Sequence, residues 1–117
     1  MSCSLHNRWK RVKDELVKEA KPEKGQNKKE LEDALKLLSS GFGPTLDKMC
    51  DAFKANKGAD VKKYAKAAIA TAEEYKKALA NVGSVAVSRM RFELDAIIKI
   101  LKEIEPKGML ARPVLFD

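Results

Sequence analysis

Between Val61 and Glu105 the chain carries two long runs of helical periodicity, separated only by the short stretch "NVGS". In the second run Val87, Met90, Leu94, Ile97, Leu101 and Ile104 follow one another by alternate steps of three and four. That spacing makes a continuous heptad-like seam along one side of a helix. Gly83 is suited to stop the first run and Ser84 to cap the second. A connection this short leaves two helices only an antiparallel arrangement. The predicted core is therefore a helical hairpin, 61–82/84–105, with arms of roughly 32 Å at 1.5 Å per residue.

The first arm contains "YAKAAIATAEEY", Tyr64 to Tyr75, with five alanines in twelve residues. On a helical wheel Val61, Tyr64, Ala65, Ala68, Ala72, Tyr75, Leu79 and Val82 share one side. Ala67, Thr71 and Ala78 widen that side, and Ile69 extends it the other way. An apolar arc of about 200° is more than one neighbour needs. Small side chains also let helix axes approach toward the low end of the usual range, about 8 Å. The expectation is close contact with two or more helices.

Shorter helices precede the hairpin. Leu5, Trp9, Val12, Leu16 and Ala20 fall on one face of a helix predicted from about Asn7 to Ala20, with residues 1–6 as a frayed N-terminus. Pro22 and Gly25 interrupt it. Asn27 with Glu30 reads as a capping pair for a second helix, whose stripe is Leu31, Ala34, Leu35 and Leu38, with Gly41 as a left-handed stop. A third helix is expected from Pro44 or Thr45, burying Leu46, Met49, Cys50 and Phe53 and ending at Asn56 and Gly58. Asp60 is the expected N-cap of the first hairpin arm. The fold class is all-α: a single domain, 1–117, of four to five antiparallel helices.

Composition agrees with that class. Of the 117 residues, 44% are hydrophobic and 35% charged, which suits a globular chain. No run reaches the roughly 18 apolar residues of a membrane span, and the acids Asp14, Glu15 and Glu19 argue against an N-terminal targeting segment. Cys3 and Cys50 are the only cysteines. One bridge between them is possible, but nothing in the sequence resembles a disulfide-held secreted scaffold, so both are read as thiols in a reducing cytoplasm.

Catalytic constellations do not emerge. His6 is the only histidine, so Cys3 and His6 have no partners with which to complete a zinc site. Cys50 sits among apolar residues as a small core side chain. "SSGFGPT" lacks the strand and the lysine of a phosphate-binding loop. Neither enzymatic activity nor a cofactor is expected.

Two surface features stand out. Phe92 lies off the seam of its helix, on a second stripe with Val85 and Ala96. The tail "KGMLARPVLFD" is apolar at Leu110, Leu115 and Phe116 and is expected to pack on the bundle. Together Val85, Phe92, Ala96, Leu110, Leu115 and Phe116 form the candidate partner surface. The second feature is charge. Of the formal net charge of +7, residues 1–29 carry an excess of five, nine Lys and Arg against four acids. The candidate basic patch is Arg8, Lys10, Arg11 and Lys18 with Lys62, Lys63 and Lys66. The expected function is a non-catalytic, cytoplasmic protein-interaction module. The alternative is a small basic protein that attracts nucleic-acid phosphates through that patch without reading sequence. The oligomeric state is left open.

Overall fold

A computed structural model describes residues 3–20, 28, 29, 32, 33, 36, 41–80 and 85–108; the side chains of Glu19, Ala20, Val85 and Ala86 are outside the description. Among the described residues four α-helices pack on one another and there is no β-strand: α1 (Ser4–Ala20), α2 (Phe42–Lys54), α3 (Gly58–Leu79) and α4 (Val85–Ile104). The all-α class is as expected. The connecting residues 81–84, the stripe of the expected second helix and the tail from Met109 lie outside the described residues. Lys28, Lys29, Glu32, Asp33 and Lys36 are helical and exposed; their spacing is that of a polar helical face.

The heptad-like seam is the floor of the core. Val87, Met90, Leu94, Ile97, Leu101 and Ile104 are all fully buried, each such side chain stabilising the fold by about 1.5–3 kcal/mol relative to exposure. Opposite it, α3 buries Val61, Ala65, Ala68, Ala72, Tyr75 and Leu79. This stripe is narrower than the predicted arc, because Ala67 and Ala78 are exposed. Thr71, at its edge, turns its hydroxyl back onto the Ala67 carbonyl at 3.1 Å. Even so, α3 lies against two neighbours, α2 and α4, and the three buried alanines are where side-chain bulk is absent.

Three aromatic rings tie the remaining helices to α3. Trp9 of α1 meets Phe42 of α2 edge-on, with centroids 4.9 Å apart, and stacks on Tyr75 of α3 at 6.0 Å. Phe42 and Tyr75 complete the triangle at 5.7 Å and 73°. Such pairs add about 0.5–1.5 kcal/mol each beyond the area they bury.

Helix termini depart from expectation in specific ways. The N-terminus is not frayed at residues 3–6: α1 begins at Ser4, and Cys3 and Leu5 are buried. α2 begins at Phe42, ahead of Pro44, because Gly41 takes a left-handed φ of 74° and its carbonyl accepts both the backbone N–H (3.1 Å) and the hydroxyl (2.8 Å) of Thr45. Proline is compatible with a first turn, where no intrahelical donor is needed. α2 ends at Lys54, and of the two residues expected to stop it Gly58 instead opens α3, while Asn56, with a φ of 59°, closes a Schellman motif: Lys57 N–H donates to Ala52 at 2.9 Å and Asn56 N–H to Phe53 at 3.1 Å. Asp60 is not the N-cap of α3. That helix starts at Gly58, so Asp60 stands inside the first turn, where its charge still favours the positive helix end.

The two cysteines correct the sequence reading most. Cys3 and Cys50 form a disulfide, with Cα atoms 5.8 Å apart across 47 residues of sequence. Neither is a free thiol. The bridge joins the start of α1 to the middle of α2, and both residues are buried.

Candidate functional site

α1 crosses beside α4, and between them runs an open groove of about 420 Å³. The helical repeat explains its make-up. Trp9 and Leu16 turn inward and Val12 is half-buried, so α1 offers the groove Val12, the edge of Leu16 and the polar Arg8, Arg11 and Glu15. From α4 come Arg89, Phe92 and Glu93, on the flank away from the buried seam. Phe92 is 75% exposed, the only large apolar side chain other than Val17 to stand in solvent among the described residues. The groove therefore has an apolar floor and wall with charges of both signs on its rim.

One rim contact is a close ion pair. The Arg8 guanidinium donates through Nε to Glu93 Oε1 at 2.6 Å, with both side chains about one-quarter to one-third exposed. It fixes α1 to α4 at the groove's edge and neutralises one charge of each sign. Arg91, beside Phe92 in sequence, keeps its Nε buried with no hydrogen-bond partner among the described residues.

The structure divides the sequence candidates. Phe92 and half-buried Ala96 lie on α4, but the side chain of Val85 and residues Leu110, Leu115 and Phe116 are outside the description. Arg8 and Arg11 join Phe92 at the groove, so members of two candidate surfaces share one place. Lys10 and Lys18 are exposed elsewhere on α1. Lys62, Lys63 and Lys66 are exposed near the start of α3, and Lys63 Nζ lies 5.8 Å from the Tyr64 ring centre. Tyr75, the α3 residue that meets α1, is nine or more residues further along, so at 1.5 Å per residue it stands roughly 14–20 Å away. Glu15, Arg89 and Glu93 belong to the groove but were absent from the candidate surfaces. Finding them requires knowing that α1 lies on α4.

His6 has a structural setting. Its Nδ1 is 2.7 Å from Asp47 Oδ1, joining α1 to α2, and its ring lies over Gly43, where an added Cβ would stand 2.9 Å from Nε2. Among the described residues no three His, Cys, Asp or Glu side chains gather as a metal site, and no helix is long and apolar enough to cross a membrane. Compared with protein-family models, curated proteins and solved structures, the chain matches none.

Proposed function

We propose that this chain is a non-catalytic protein-interaction module that docks a protein partner on the Phe92 side of α4 and the α1–α4 groove beside it. The observation that carries this is the 75% exposure of Phe92 next to the apolar edge formed by Val12 and Leu16. An aromatic anchor beside a groove, ringed by charges, has the anatomy of a small protein-docking surface. The proposed frame is a single domain built on an antiparallel α3–α4 hairpin. Ion pairs support that direction: Glu73 meets Lys102, while Lys76, further along α3, meets Asp95, further back on α4. The Cys3–Cys50 bridge supports an oxidising compartment rather than the cytoplasm expected from two thiols.

A photo-crosslinking residue placed at position 92, in cells producing the chain, tests the reading. A discrete protein adduct is expected from position 92 and none from the same probe at position 63. Absence of any adduct at 92 removes the docking role. A nucleic-acid adduct at position 63 would favour phosphate binding instead.

A further inference from the structure

We propose that the occupant of the Phe92 surface is a second copy of this chain, held by antiparallel packing of α4 on α4 across a two-fold axis at Phe92. This rests on the docking role given to that surface and adds what fills it. On a helix, residues three and four away share a face with the central one. Around Phe92 those positions are Ser88 and Arg89 on one side, Asp95 and Ala96 on the other. Ser88, Arg89 and Asp95 are exposed and Ala96 is half-buried.

In an antiparallel pair centred on Phe92, a residue a given number of steps before it faces the partner residue the same number after it. Arg89 then faces the partner's Asp95, and Asp95 faces the partner's Arg89. Both charge pairs are favourable and are generated by one symmetry operation, as an isologous contact demands. A parallel pair in the same register would set Arg89 on the partner's Arg89 and Asp95 on the partner's Asp95, so the charges select direction. Four steps out, Ser88 faces the partner's Ala96. Two small side chains there let the helix axes approach while the rings of Phe92 meet at the axis. Asp95 is also held by Lys76 of α3, and its side chain stays 55% exposed. The net charge of +7 on each copy opposes association at long range. At about 0.15 M salt that repulsion is screened beyond roughly 8 Å, whereas contacts at the axis are not.

The full oxidised chain is examined by sedimentation velocity at about 0.15 M salt, from micromolar to near-millimolar concentration, with the position-92 cross-link run alongside. A shift from 13.0 kDa toward twice that mass is expected as concentration rises. Phe92→Asp should weaken the dimer at least about tenfold with the monomer's melting temperature unchanged. Arg89→Asp and Asp95→Arg should each weaken it, and the two together should restore it, since the crossed pairs re-form with signs exchanged. A chain that stays monomeric throughout, a dimer indifferent to Phe92→Asp, or a double variant no better than the single ones overturns the proposal. A monomer whose position 92 cross-links to a different protein overturns the second copy while leaving the docking role standing. No adduct of any kind at 92 removes both.

Discussion

Gly108 stands against the backbone of Gly58: a Cβ added to it would lie 2.8 Å from the Gly58 carbonyl oxygen. The residue four places beyond the end of α4 therefore touches the first residue of α3. Gly108 also has a φ of 68°, and its N–H donates to the Ile104 carbonyl at 2.7 Å, closing the last turn. Two demands coincide there, a left-handed backbone and a close approach. Gly108→Ala should lower stability by about 1–3 kcal/mol. Gly58→Ala, at a position with open space around an added Cβ, should be far milder. Chemical denaturation of the two variants side by side checks the difference.

The alanines of α3 make a paired prediction. Ala68 and Ala72 are fully buried, whereas Ala67 and Ala78 face solvent. Leucine at position 68 or 72 should overpack the space between helices and cost about 1–3 kcal/mol. The same residue at 67 or 78 should change stability by no more than about 0.5 kcal/mol. Equal effects at all four positions would mean that helix proximity does not govern this stretch.

Removing the disulfide should be costly. It closes a loop of 47 residues, for which the loss of denatured-state entropy corresponds to about 4 kcal/mol. Cys3→Ser with Cys50→Ser, or reduction, should lower the melting temperature accordingly. Intact mass before and after reduction under denaturing conditions checks the bridge itself: the oxidised chain is lighter by two hydrogen atoms.

Trp9 and Phe92 should behave as opposites. Trp9 is buried in contact with Phe42 and Tyr75, so Trp9→Ala should cost about 3–5 kcal/mol. In dilute solution, where the chain is monomeric, Phe92→Ser should leave stability within about 0.5 kcal/mol. A large destabilisation of the monomer by Phe92→Ser would show that the ring is covered within a single chain.

What was legible in the sequence follows from the range of each signal. The seam from Val87 to Ile104 and the stripe of α2 are set by periodicity within one helix, and every one of those residues is buried. Asn56 was legible as a helix end because a polar residue tolerating left-handed φ advertises a C-terminus. Starts were less legible. Phe42 enters α2 because the Gly41 carbonyl before it accepts the N–H and hydroxyl of Thr45, which no residue pattern announces, and Leu5 is buried because α1 packs at its very beginning. Pairings at long separation were not legible beyond the bare possibility of a bridge between the two cysteines. Cys3 meets Cys50, and Arg8 meets Glu93, only once helices far apart in sequence are laid together.

The bridge between Cys3 and Cys50 has a consequence for processing. Every residue between them lies within one covalent ring, including the stretch from α1 to α2. A protease that cuts once inside that ring opens it without releasing anything, and the two pieces travel as one molecule until a reductant parts them.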